Sequence, residues 1–125
     1  MYSMKGVLNY QFKTAFIAIL QQVYRDEWFI ARSYRELAGH EQEIERRFLL
    51  TWLASLADRK KDNCAILLHR LGAFIPLENQ SGWKRNPYGL GLQKGNLRVV
   101  GQLERMERSD FGKLVALCCA QRRWV

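Results

Sequence analysis

A chain of 125 residues, 48% hydrophobic and 12% aromatic, has the composition of one globular domain with a single core, which excludes a disordered segment or a two-domain protein. The net charge of +8 is unevenly spread: residues 1–72 carry 11 basic and 8 acidic side chains, residues 73–125 carry 9 and 4, so the second part is the candidate surface for an anionic partner. Three cysteines, Cys64, Cys118 and Cys119, make no disulfide framework, because the number is odd and an adjacent pair is awkward to bridge.

All three cysteines fall in apolar helical patterns, which predicts buried free thiols in a reducing cytoplasm. The apolar run 15–20 is followed by Gln21 and Gln22 without a small-residue cleavage site, so no signal peptide is expected. Nothing approaches the ~18–20 apolar residues of a membrane span, and no membrane is expected as a partner.

In chain order, Asn9 is a candidate N-cap for a first helix over about 10–38. Its apolar positions, Phe12, Phe16, Ile19, Val23, Ile30, Tyr34 and Leu37, step by three or four except where the stripe passes through Glu27. Gly39 suits a left-handed C-cap, and Glu41, Glu43 and Glu45 then crowd the start of a second helix, where the macrodipole favours acids. That helix, 41–71, ends at Gly72 with His69 and Arg70 in its last turn and Pro76 beyond. Its stripe is Leu49, Leu53, Leu56, Cys64, Leu67 and Leu71, with Lys60 in the gap.

Residues 73–96 hold four of the nine glycines and both prolines. A connection of this length without helical periodicity predicts a crossover from one end of a bundle to the other. Asn96 can cap a C-terminal helical part over 97–121, with Val100, Leu103, Glu107, Phe111, Leu114 and Cys118 as its stripe and Glu104 flanking it. Gly101 and Gly112 weaken this segment, and Ser109-Asp110 offers a fresh cap, so one helix or two shorter ones are both open.

Glu27, Ala31, Tyr34, Leu37 and Ala38 form the run E-x3-A-x2-Y-x2-L-A, which resembles the first metal-binding helix of the ferritin-like superfamily, rubrerythrin-type members most closely. LADRKKDNCAILLHRLG in the second helix is similar to that family's LA-x2-E-x2-H-A pattern with its terminal leucines and LG. The resemblance covers roughly residues 12–76. It implies an all-α, antiparallel, ferritin-like bundle of two long helices, a crossover loop and a shorter C-terminal helix, as a single domain over 1–125.

In that family two helix pairs each supply a Glu and an E-x2-H to a pair of iron or manganese ions. Aligning Leu56 and Ala57 puts Lys60 at the bridging Glu and Asn63 at the His, and no fourth helix remains to supply the second E-x2-H. An ammonium among the ligands repels a metal. The expectation is therefore no cofactor and a Glu27–Lys60 ion pair in place of the metal. A residual iron or manganese site from Glu27, Glu104 and Glu107 is the alternative. A different register, with Asp58 and Lys61 as the E-x2-H equivalents, is rejected because Asp58 lies near the polar face with Thr51 and His69, and Asp58 is read as a solvated surface acid.

His40 and His69 lie ~43 Å apart at helical rise and cannot share a metal within one chain. No nucleophile–base pairing emerges from the spacing, so an enzyme is not expected. Trp83, Lys84, Arg85, Tyr88, Lys94 and Arg98 interleave aromatics with cations, with Arg122 and Arg123 extending the patch. That is a candidate surface for single-stranded nucleic acid or an anionic partner, set against a loop whose aromatics pin it to the bundle. Three helices leave an apolar groove, and a homo-oligomer or a protein partner is expected to cover it. The leading functional expectation is a non-catalytic interaction or scaffold subunit; an iron- or manganese-binding oxidoreductase or storage protein, and a small basic nucleic-acid binder, are the alternatives.

Overall fold

The computed structural model describes residues 2–77 and 96–122, with side chains from Tyr10 to Leu77 and from Arg98 to Cys119. These residues form three helices, α1 (Tyr2–His40), α2 (Ile44–Arg70) and α3 (Asn96–Arg122), with no strand among them. The expected all-α class holds.

The boundaries differ from expectation in physically simple ways. α1 begins at Tyr2, so Asn9 lies inside the helix rather than capping it, and the 39 residues extend ~58 Å at 1.5 Å per residue. Gly39 stays helical, and Glu41 N–H closes the last turn on Ala38 O at 3.2 Å. α2 starts at Ile44 with extended Glu43 as its N-cap, so the acids Glu41 and Glu43 precede the helix instead of opening it. At the other end the predicted stop is fully formed. Gly72 has φ 71°, Gly72 N–H donates to His69 O at 3.0 Å, and Ala73 N–H donates to Leu68 O at 2.9 Å. This is the Schellman pattern, in which a left-handed residue lets the last carbonyls find donors. α3 is one helix, and Ser109-Asp110 does not restart it.

α2 packs along α1. Arg35 pairs with Asp58 midway along α2, and Gln21 Nε2 donates to Phe74 O at 3.1 Å beyond the end of α2. Small residues at the contact, Ala31 and Ala38 on one helix and Ala54 and Ala57 on the other, allow close approach of the backbones. α3 lies against α1 as well, with far weaker contact to α2.

The core falls into two clusters. The first joins Phe29, Ile30, Tyr34 and Leu37 to Leu50 and Ala54 of α2 and to Val99 and Leu103 of α3. The second joins Leu20, Val23 and Tyr24 to Cys64 and Leu68, with Leu114 of α3 packed against it. Between them, in all three helices, stand charged residues: Asp26 and Glu27, Lys60, Glu107 and Asp110.

The buried faces of α2 and α3 are rotated by about one residue from the predicted stripes. Leu50, Ala54, Ala57, Cys64 and Leu68 are buried on α2, whereas Leu49 and Leu67 are exposed. Val99, Leu103 and Asp110 are buried on α3, whereas Phe111 is 69% exposed. Cys118 and Cys119 are exposed, contrary to the expected burial, because they lie a turn beyond Leu114, the last α3 residue packed on the second cluster; Cys64 is buried and reduced as expected. Each of these two helices thus carries two apolar lines, one facing α1 and one facing away from it.

Candidate functional site

The second apolar lines flank a groove that runs along α1 between α2 and α3. At one end Tyr34 forms the floor, with Leu53 and Leu56 on one bank and Glu104 and Arg108 on the other. At the other end Leu20, Val23 and Glu27 form the floor, with Asn63 and Leu67 on one bank and Asp110, Phe111 and Leu114 on the other, enclosing about 280 Å³. Lys60 and Glu107 line both ends. They meet across the groove, the Lys60 ammonium on the Glu107 Oε2.

This corrects the expected pairing. The direct ion pair of Lys60 is with Glu107 of α3, and Glu27 lies beneath it. The reason is depth. Glu27 is only 2% exposed, while the Lys60 side chain is 53% exposed and stretches along the groove mouth, where Glu107 is nearer the surface. Burial on its own depresses the Lys60 ammonium, but the hydrogen bond to Glu107 and the charges of Glu107 and Glu27 outweigh it and hold the group above its ordinary value.

Burial pushes the Glu27 carboxyl up to about 8, helped by the charges of Glu107 and Asp110 and opposed by Lys60. Glu27 also shares a hydrogen bond with Glu107. The upward shift favours the protonated form of Glu27 beside Glu107. Oε2 of Glu27 is left without a partner.

A second pair repeats the arrangement one turn away. Asp110, 3% exposed, is pushed up to about 7 by burial and by its hydrogen bond to Asp26 and the charge of that residue; Lys113 opposes the shift. Its Oδ2 has no partner either. Asp26 is also the acceptor for Gln22 Nε2 at 3.0 Å. Burial first, then the neighbouring carboxylates Glu107, Glu104 and Glu27, push the Tyr34 phenol up to about 12. Burial raises the Cys64 thiol to about 11, which makes it a poor nucleophile.

Of the residues considered for a residual metal site, Glu27 and Glu107 are brought together. Glu104 stands a turn away, more than half exposed and paired with Arg108 at 3.4 Å. Asp110 joins the carboxyl group in its stead. The sequence carried a sign of this, since Asp110 is three residues after Glu107 and seven after Leu103 and so shares their face. Among the described residues no group of three or more His, Cys, Asp or Glu is disposed to hold a metal ion. Asn63 lies exposed on the groove bank, and His40 and His69 are exposed near opposite ends of α2. Asp58, expected as a solvated surface acid, is partly buried and paired with Arg35 and, at 3.6 Å, with Lys61.

Arg98 is exposed at the start of α3. Trp83, Lys84, Arg85, Tyr88, Lys94 and Arg123 lie outside the described residues, as does the side chain of Arg122. No described helix is long and apolar enough to cross a membrane. Compared with protein-family models, curated proteins and solved structures, the chain matches none.

Proposed function

We propose that the chain is a non-catalytic ferritin-like scaffold subunit in which the Lys60–Glu107 pair stands in place of a metal centre, and that a second copy covers the open groove. The observation that carries this reading is the Lys60 ammonium lying among Glu27, Glu107 and Asp110. A cation built into the chain offsets the carboxyl charge that a metal would otherwise neutralise.

The order of contacts supports an antiparallel, ferritin-like topology. Tyr34–Ala38 of α1 share a core cluster with Val99 and Leu103, Asp26 meets Asp110, and Leu20 lies with Leu114. On this reading both α2 and α3 run against α1. In a four-helix arrangement of this kind the missing helix sits between α2 and α3, over the groove. The apolar lines on its banks, Leu53, Leu56 and Leu67 facing Phe111 and Leu114, are what a fourth helix needs.

A further apolar row at the start of α2, Ile44, Phe48 and Trp52, spaced by four, is exposed and gives a second copy a self-complementary surface. The three free thiols favour a reducing, cytoplasmic setting. Light scattering during gel filtration tests the assembly: a particle of twice 14.7 kDa supports it, and a monomer of 14.7 kDa across the micromolar range refutes it. An apparent requirement for a different protein would replace the second copy with a heterologous helix.

A further inference from the structure

The wider end of the groove has the form of a small-molecule site. Its walls are hydrocarbon, from Leu20, Val23, Leu67, Phe111 and Leu114, and its polar groups converge at one end. Two of those groups, Glu27 and Asp110, are almost wholly buried and have a carboxyl oxygen with no partner. Buried acceptors without donors are uncommon and costly, and an apolar cleft with a few convergent polar groups is the usual form of a ligand pocket. The third, Glu107, already holds an ammonium, that of Lys60, which reaches it on a flexible, half-exposed side chain. The position therefore accepts a cationic nitrogen, and its present occupant is free to swing out to solvent.

We propose that this pocket binds a small amphiphilic organic cation, an alkylammonium whose charged end displaces the Lys60 ammonium at Glu107 and reaches Glu27 and Asp110, and whose chain lies along Leu20, Val23 and Leu114. The hydrocarbon walls select an organic cation over a bare metal ion, which needs about six oxygen donors and gains nothing from leucine. A volume of about 280 Å³ accommodates a six-carbon chain. All the carboxyl groups come from this chain, and a second copy packed on Leu67, Phe111 and Leu114 would compete with the ligand for the same walls.

The charge balance makes binding pH-dependent. Glu27 is faced by Lys60 and Cys64 from α2, by Glu107 and Asp110 from α3, and by Tyr34 of its own helix; Asp26 and Lys113 stand near Asp110. A second cation at this cluster is best neutralised once Glu27 or Asp110 gives up its proton, so affinity rises from pH 6 to pH 9 while the alkylammonium stays charged.

Calorimetric titration of the full chain with n-hexylammonium at pH 8, beside hexanol and hexanoate, tests this. The expected result is saturable binding of one hexylammonium per chain, about tenfold or more tighter than hexanol, with no binding of hexanoate. Lys60→Ala, a change at an exposed side chain, tightens binding severalfold by vacating the cation position, and Glu27→Gln with Asp110→Asn weakens it about tenfold. Equal affinity for hexanol, an unchanged affinity in Lys60→Ala, or displacement of hexylammonium by one equivalent of Mn²⁺ overturns the proposal.

Discussion

Lys60 of α2 reaches across the groove to Glu107 of α3 and covers Glu27 of α1, so the charged layer between the two halves of the core is tied to all three helices. Since the Lys60 side chain is more than half exposed, the pair itself adds little to stability, and Lys60→Met is expected to change unfolding free energy by less than about 1 kcal/mol. Lys60→Glu is different in kind. It sets a third carboxyl beside Glu27 and Glu107, and the expected loss is about 1–3 kcal/mol at pH 8, smaller at pH 6 where the carboxyl groups can share protons. Urea unfolding at the two pH values measures both.

The raised Glu27 carboxyl fixes the sign of the pH dependence. Its folded-state value of about 8 lies above the ordinary 4.5, so the folded chain holds a proton that the unfolded chain releases. The stabilisation is fully present below about 4.5 and is lost as pH rises through 8; Asp110 acts in the same direction between 3.8 and about 7. Stability is expected to fall from pH 5 to pH 9. Glu27→Gln, which keeps the shape without the charge, is expected to flatten that slope and to raise stability at pH 9 by about 1–3 kcal/mol. A slope of the opposite sign in urea melts across this range contradicts the assignment.

Leu103 and Phe111 separate packing on α1 from packing on a partner. Leu103 is fully buried against α1, and Leu103→Ala is expected to cost about 2–5 kcal/mol and to expose α3 amides to exchange. Phe111 is mostly exposed on the groove bank, so Phe111→Ala leaves the monomer within about 0.5 kcal/mol while weakening self-association, as read by light scattering against concentration.

Two glycines respond oppositely to alanine. Gly72 has a left-handed backbone, and Gly72→Ala is expected to cost about 1–2 kcal/mol. Gly39 is helical with open space around its Cβ position, and Gly39→Ala is expected to stabilise α1 by up to about 1 kcal/mol. Thermal melts of the two variants should move in opposite directions.

The contrast between these glycines also shows how much the sequence could reveal. A terminal glycine followed by proline marked the end of α2 correctly, because the local turn chemistry is sufficient there. At Gly39 tertiary packing of Leu37 and Ala38 against α2 carries the helix two residues further than the local signal. The interrupted stripes single out Glu27, Lys60 and Glu107, which the fold brings together. They did not reveal who pairs with whom, since periodicity gives direction around a helix but not depth in a groove.

The same limit explains the one-residue rotation of α2 and α3. Periodicity picks out the apolar line with the larger side chains, Leu53, Leu56 and Phe111, but the faces buried against α1 favour small and medium residues such as Ala54, Ala57 and Val99. Asp110 was overlooked because a Ser-Asp pair is an ordinary cap, and only its burial distinguishes it.

In the proposed reading the Lys60 ammonium, paired with Glu107 above Glu27, stands where a metal would sit. Metal analysis of the purified full chain, after incubation with excess Fe²⁺ or Mn²⁺ and removal of unbound ions, tests it most directly. Far less than one ion per chain is expected. One or two tightly held ions per chain would contradict it.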